Sequence, residues 1–271
     1  MRGASRVSLA ALDDQLAAED ITSATVATRL GNELFSVVGL LDSEHGLRRA
    51  LGDPGKPAAE KGAVAGALLH GKVTGRTEAL VTAAVESHWS RLGDLVDAIE
   101  QLAVGAMVLA ADVDNSLDDL EDVLFRFSRV ISAQPDLRAA LADAGLPEDR
   151  KHDLVGALLD GKVSAIALAL ITQVVAHPRG REIDVALDMC AGIAAQRREQ
   201  LIAVVRCAVE LSAAQRRRLA EALSEAYGHK IHLNIVLDPS VVGGMSVQIG
   251  DELIDGTAAS RLAEVRRKLA G

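Results

Sequence analysis

Residues 66–73 read Gly-Ala-Leu-Leu-His-Gly-Lys-Val, and residues 156–163 read Gly-Ala-Leu-Leu-Asp-Gly-Lys-Val. The two stretches lie 90 positions apart, and the match extends outward in the same register for about 50 residues. Lys61 meets Lys151. Asp53, Gly55 and Pro57 meet Asp143, Gly145 and Pro147. Further upstream, Ala50-Leu51 meets Ala140-Leu141, Leu47-Arg48 meets Leu137-Arg138, and Leu34-Phe35 meets Leu124-Phe125. Two unrelated Ala/Leu-rich helices share composition but do not keep their Gly and Pro residues in step. The first two-thirds of the chain is therefore a duplicated domain.

Each copy reads as helical. Leu34, Val37, Val38 and Leu41 follow the i, i+3, i+4, i+7 spacing of an amphipathic helix over 32–41. Asp53-Pro54-Gly55-Lys56-Pro57 interrupts it, a helix follows over 58–70, and Gly71 stands at its C-cap. Asp143 to Pro147 and Gly161 repeat this punctuation. The join lies near Ser90, before an Ala/Leu/Val segment over 91–111 and an acidic run from Asp112 to Asp122.

After about Arg198 the period changes from helical to two. Leu201, Ala203, Val205, Cys207, Val209 and Leu211 alternate with polar residues. So do Ile231, Leu233, Ile235 and Leu237, and then Met245, Val247 and Ile249. Three strands with one buried face each are expected. Between the first two, Ser212 with Gln215 forms a capping-box pattern opening a helix whose inner stripe is Leu219, Ala222, Leu223 and Ala226. Gly228 ends it, Asp255-Gly256 reads as a turn, and Leu262, Val265 and Leu269 stripe a last helix. The fold class is α+β: helical bundles over 1–90 and 91–198, then a small α/β domain over 199–271.

Composition narrows the function classes. The chain has 271 residues, net charge −9 and 2% aromatics. An acidic surface is a poor phosphate-backbone binder, so no nucleic-acid partner is expected. The longest apolar runs, 102–111 and 163–176, fall short of the roughly 20 residues of a membrane helix, and no direct membrane span or secretory signal is expected. Cys190 and Cys207 stand without a CxxC or His-Cys cluster and read as small buried hydrophobes.

The motifs that brush against chemistry resolve into structure. Gly66 to Lys72, and again Gly156 to Lys162, spell G-x-x-x-x-G-K, but Val73 and Val163 stand where a phosphate loop needs Ser or Thr. A helix with a Gly cap is the expectation. Asp112, Asp114 and Ser116 resemble the start of a calcium loop, yet Leu117 and Val123 occupy the turn and closing-ligand positions. His229 and His232 have no companion ligands for zinc. Arg216-Arg217-Arg218 and Arg266-Arg267-Lys268 read as solvated faces, with a docking face for acidic partner helices as the alternative. No nucleophile elbow, Ser/His/Asp set or buried carboxylate pair is recognisable. No catalytic residues, cofactor or metal are expected.

From Leu237 the chain reads L-D-P-S-V-V-G-G-M-S-V-Q-I-G-D-E-L-I-D-G-T-A-A-S-R-L-A-E-V. This resembles the C-terminal signature of the ATP synthase delta subunit family, whose mitochondrial counterpart is the oligomycin sensitivity conferral protein. The matching positions are Asp238, Pro239, Gly243, Gly244, Gly250, Asp251, Asp255, Gly256, Thr257, Arg261 and Leu262. Thr257 stands where the family often has Ser. Gly243 and Gly244 suit a strand bend or a close backbone approach. Thr257 suits a helix cap, and Arg261 an ion pair with Asp251 or Asp255.

The resemblance implies a non-catalytic peripheral-stalk subunit on the cytoplasmic side of the cell membrane. It implies partners among the alpha and beta subunits of the catalytic head and the b-type stalk subunits. The usual family member has one six-helix bundle; a second copy in front resembles the long form found in some high-GC Gram-positive (actinobacterial) bacteria. Chain order suggests that copy two holds the head and copy one braces the stalk. A free-standing helical-repeat adaptor would account for the duplication alone, and an enzyme with a helical substrate domain for the domain order. The signature speaks against the first, the missing chemistry against the second.

Overall fold

The computed structural model describes residues 3–143, 145–200, 202–209, 211–227, 231–239, 241, 243–250 and 252–256. The chain divides into two compact units, Met1–Ala194 and Ala195–Gly271.

The first unit is helical throughout. Repeat one holds α1 (Ala4–Ala17), α2 (Ala24–Ser43), α3 (His45–Gly52), α4 (Ala58–Leu69) and α5 (Gly75–Glu86). Then come α6 (Leu92–Val113), α7 (Leu117–Ala133), α8 (Pro135–Ala142), α9 (Glu148–Leu159), α10 (Ala165–Ala176) and α11 (Ile183–Gln200). Subtracting 90 from the bounds of α8, α9 and α10 returns those of α3, α4 and α5 residue for residue. The turns repeat as well. Asp53 Oδ1 accepts from Gly55 N at 2.8 Å, and Asp143 Oδ1 accepts from Gly145 N at 2.8 Å. Gly71 and Gly161 close α4 and α9 at φ 71° and 69°, the left-handed region where a side chain would be strained.

The same shift places α1, residues 4–17, on residues 94–107, inside α6. It places α6 itself over α11. So α6 is at once the sixth helix of repeat one and the first of repeat two. Its burial reflects both duties: fifteen of its 22 residues are buried, against three of the 14 in α1. A helix buried around most of its circumference, Asp94 and Glu100 included, belongs in the middle of a core. It runs along α2, touches α1, α3 and α5, and meets α7 and α10. Gly31 permits the close approach of α2: a Cβ there would stand 2.8 Å from Met107 Sδ and 3.1 Å from the Ala103 carbonyl oxygen.

The second unit has a four-stranded sheet in the order β2-β1-β3-β4. β1 (Ile202–Cys207) pairs parallel with β2 (His232–Leu237) and antiparallel with β3 (Met245–Ile249), and β3 pairs antiparallel with β4 (Glu252–Asp255). The parallel pair needs a crossover, and α12 (Ala213–Tyr227) supplies it. The capping box is present: Gln215 N donates to Ser212 Oγ at 3.3 Å, and Ser212 N donates to Gln215 Oε1 at 2.9 Å. Ala203, Val205, Cys207, Val247 and Ile249 make the sheet's share of the core, with Leu211, Leu223 and Ile231.

Three local readings change. β1 stops at Cys207, so Val209, placed on the inner face by its alternation, is 75% exposed. Its period continues, but the sheet hydrogen bonding ends where Asp238 N turns in to donate to the Cys207 carbonyl at 2.9 Å. Asp255 is not in a turn. It ends a fourth strand opposite Ser246, and the preceding reversal follows Gly250 at φ 53°. The inner stripe of α12 is Leu219, Leu223 and Tyr227, while Ala222 and Ala226 are exposed. An i, i+4, i+8 stripe is narrower than the four-residue one expected, and it leaves part of the β2 face uncovered. The expected strand start at Leu201, the helix end at Gly228, and the last helix with Leu262, Val265 and Leu269 lie outside the described residues.

Candidate functional site

The uncovered part of β2 is the floor of a groove. Leu233, Ile235 and Leu237 of β2 alternate along this floor, which ends at the buried Ile231, with Ala220, Arg216 and Arg217 of α12 along the other side. The groove is open and encloses about 550 Å³. Its far end is exposed: Leu237 keeps 56% of its surface in contact with solvent. An apolar trough with guanidinium groups along one rim is suited to an amphipathic helix with an acidic edge. Arg217 is itself within 3.9 Å of Glu221 on the exposed flank of α12. The alternation of these four aliphatic residues predicts a buried strand face and does not show that coverage fades from the buried Ile231 to the exposed Leu237. The arginine run and the small Ala220 are the only local signals.

The signature residues surround the sheet and shape backbone. Asp238 and Pro239 end β2, and the Asp238 carbonyl accepts from Val241 N at 3.1 Å. Gly243 and Gly244 are both left-handed, at φ 66° and 82°, and set the reversal into β3. Gly256 N returns to the Met245 carbonyl at 3.0 Å, and a Cβ on Gly256 would meet that same oxygen at 3.1 Å. Asp238, Pro239, Gly243, Gly244, Gly250, Asp255 and Gly256 thus lie on the strand ends and connections of one small sheet. Asp251, Thr257, Arg261 and Leu262 lie outside the described residues, and with them the cap and ion pair expected there.

In the first unit the polar side chains hold helices together. Glu33 of α2 reaches the start of α5: its Oε2 accepts from Thr74 N at 2.8 Å, Thr74 Oγ1 at 2.7 Å and Thr77 Oγ1 at 2.6 Å, and Arg29 Nε donates to Oε1 at 2.8 Å. Burial pushes this carboxyl up, but the hydrogen bonds from Thr77, Thr74 and Arg29 overrule it and bring it down to about 2. Repeat two has Ser164 at the matching cap, where it accepts from Ala167 N at 3.1 Å without a carboxylate.

Between the repeats lies a charge cluster that no spacing rule assembles. Arg179, in the α10–α11 connection at φ 54°, donates through Nε to Asp42 Oδ2 at 2.6 Å. Its Nη1 meets Glu100 Oε2 at 2.5 Å and Asp97 Oδ1 at 3.1 Å, and Arg181 pairs with the other oxygen of Glu100. Burial disfavours the Arg179 charge, but Glu100, Asp42 and Asp97 outweigh it and raise the guanidinium pKa above its ordinary value. Cys190 is buried nearby, with its thiol pushed up to about 12, first by desolvation and then by Glu100. It is inert packing, as is the buried Cys207.

The motif-like stretches behave as helix ends. Gly66 to Leu69 and Gly156 to Leu159 are the last turns of α4 and α9, and Lys162 Nζ donates to the Leu158 carbonyl at 2.8 Å. Asp112 belongs to α6, and Ser116 precedes α7. Among the described residues, no group of three or more His, Cys, Asp or Glu side chains could hold a metal, and no helix is long and apolar enough to cross a membrane.

A family model described as ATP synthase delta (OSCP) subunit matches residues 103–269, which is repeat two with the sheet unit. The protein named ATP synthase subunit delta in Thermobifida fusca is 48% identical over 271 residues, covering all of both chains. Proteins of that name in Streptomyces griseus and Acidothermus cellulolyticus are 44% and 43% identical, again over the whole of both chains. A chain in the cryo-EM structure of the Toxoplasma gondii mitochondrial ATP synthase hexamer aligns with a TM-score of 0.33 at 17% identity, over 62% of this chain and 95% of that one. That score is too low to carry an argument, so the relationship rests on sequence.

Proposed function

The chain belongs to the ATP synthase delta (OSCP) subunit family, and we propose how it divides its work within that complex. It is a structural subunit of the peripheral stalk of the F-type, proton-translocating ATP synthase. The stalk links the catalytic head to the membrane sector and keeps the head from turning with the rotor. In our reading the chain performs this task without catalytic residues, on the cytoplasmic side of the cell membrane.

The sheet unit, residues 199–271, takes the ends of the b-type stalk subunits. The observation that carries this is the groove over β2: an apolar floor of Ile231, Leu233, Ile235 and Leu237 beside Arg216 and Arg217. A stalk helix with apolar residues at i, i+3/i+4 and an acidic edge would bury that floor. The helical unit, divided at residue 90/91, meets the alpha and beta subunits of the head, with residues 91–198 holding the head and 1–90 bracing the stalk. Each contact can be modest, because several on one body retain a partner through effective concentration.

The test is retention. A tagged full-length chain drawn from membranes at low salt should bring alpha, beta and b-type subunits. Substitution in the groove should release b-type subunits and keep the head; substitution on the exposed faces of α7–α10 should do the reverse. Release of both from either site would sink the division of labour.

A further inference from the structure

The corner after the fifth helix is built differently in the two repeats. The 90-residue offset sets Arg179 on Trp89, Arg181 on Arg91 and Asp184 on Asp94. In repeat one this corner closes on its own repeat. Trp89 is buried, and its Nε1 donates to the Ala84 carbonyl at 2.7 Å. Ser90 N donates to Ser5 Oγ at 2.8 Å, and Arg91 pairs with Asp94 at 2.9 Å. In repeat two the corner reaches outward. Arg181 pairs with Glu100 of α6, while Asp184 accepts from Ser132 Oγ at 3.0 Å. Arg179 crosses to Asp42 at the end of α2, and to Asp97 and Glu100 of α6. Its backbone is left-handed at φ 54°, which that of Trp89 is not, and Gly180 follows at φ 73°. A residue with a side chain is strained there, and such strain persists only where the surroundings hold it.

Phe35, Val38 and Val174 meet beside the cluster, around a gap of about 10 Å³ that Glu100, Arg179 and Arg181 also line. Apolar burial is non-directional and lets two surfaces roll on one another. A guanidinium fork is directional, because Nε and Nη1 must each meet their own carboxylates. A buried ion cluster adds little net stability over an apolar alternative, and its best-attested use is to fix register. Repeat one shows the apolar alternative at the matching position, a tryptophan.

We propose that Arg179 is a positioning residue: its fork fixes the angle at which repeat two stands against α2, around the helix that both repeats share. That angle is a property of the chain by itself. Its consequence, that the two repeats carry load as one body, rests on the stalk reading above.

The experiment measures the distance distribution between spin labels on Ala67→Cys of α4 and Ala157→Cys of α9, exposed repeat mates, in the full chain. The native Cys190 and Cys207 are buried and stay unlabelled. The unaltered junction should give one narrow distribution, and Arg179→Met should widen it about twofold. Arg179→Lys keeps the charge and loses the fork. It should recover part of the thermal stability that Arg179→Met loses and still leave the distribution wide. Glu33→Gln weakens repeat one away from the junction and should leave the distribution narrow. Where Arg179→Met does not fold, Asp42→Asn removes one acceptor, leaves Glu100 to both arginines, and should widen the distribution in its place. An unchanged width in either folded variant overturns the proposal, as does a narrow distribution in Arg179→Lys. Equal widening in Glu33→Gln overturns it too, because width would then follow stability alone. All of these outcomes leave the stalk assignment standing. Failure of the chain to co-purify with head or stalk subunits would strike that assignment and leave the angle untouched.

Discussion

Arg179 Nη1 stands 2.5 Å from Glu100 Oε2, and this pair joins the α10–α11 connection of one repeat to the helix that both repeats share. Asp42 and Asp97 complete the ring of acceptors. Glu100 is 7% exposed, and its two carboxylate oxygens are taken by Arg179 and Arg181. A buried pair is weak evidence of net stability over an apolar alternative, but removing one partner is costly.

Arg179→Ala should therefore destabilise the helical unit by about 3 kcal/mol. Urea unfolding would show this as a lower midpoint at unchanged slope. A loss below about 1 kcal/mol would mean that Arg181 alone satisfies Glu100.

Glu33 provides a pH signature. Its carboxyl is at about 2 in the folded chain against the ordinary 4.5 of a glutamate. A depressed folded pKa means the unfolded chain takes up the proton first. The contribution is thus present above about 4.5 and is lost as pH falls from there through about 2. Glu33→Gln should cost about 2 kcal/mol at neutral pH and should flatten the acid limb of stability against pH. Parallel acid limbs for the parent and the variant would show that Glu33 is not the responsible group.

The shared helix makes the repeats inseparable. Residues 91–271 alone would leave the repeat-one side of α6, with Leu95, Ile99, Leu102 and Met107 among its fully buried residues, facing water. We expect that fragment to self-associate and to lose a sharp thermal transition, by size-exclusion chromatography and circular dichroism. A monomeric fragment with a cooperative melt would mean that repeat two is complete without its neighbour. Head binding is accordingly better tested by surface substitutions than by deleting the first copy.

Gly31→Ala should cost about 2 kcal/mol by overpacking, because the new methyl meets Met107 and the Ala103 carbonyl. Met107→Ala in the same chain should recover part of it at most, since the backbone oxygen stays. Full recovery would place the whole conflict on the methionine.

Leu237→Glu tests the groove. The residue is 56% exposed, so stability should change by no more than about 0.5 kcal/mol, while capture of b-type stalk subunits should fall at least tenfold. Unchanged capture would move the stalk site elsewhere on the sheet unit.

Much of this architecture was legible in one dimension. The 90-residue offset gave the helix breaks, since Asp53, Gly71 and their mates carry turn chemistry that depends only on local backbone. The capping box at Ser212 is likewise local. What was not legible depends on neighbours. Val209 continues an alternating pattern past the point where hydrogen-bonded partners end. Ala222 fits a helical stripe yet faces solvent, because α12 lies on the sheet along a narrower line. Asp42, Asp97, Glu100 and Arg179 come from three separate elements, and no spacing rule connects them. The double duty of α6 was hidden for a related reason. Its Ala/Leu/Val-rich stretch follows the join near Ser90 and opens copy two, and only packing shows that copy one ends on the same residues.

A join made of helix has phase. Each residue of α6 advances the chain by about 1.5 Å and turns it by about 100°, so inserting or deleting one residue there would swing all of repeat two around the helix axis. A loop between domains absorbs such changes; this join accepts only whole-turn steps, close to seven or eleven residues at a time. Along the lineage of such chains, length should thus drift in the connections between helices and stay locked between Leu92 and Val113.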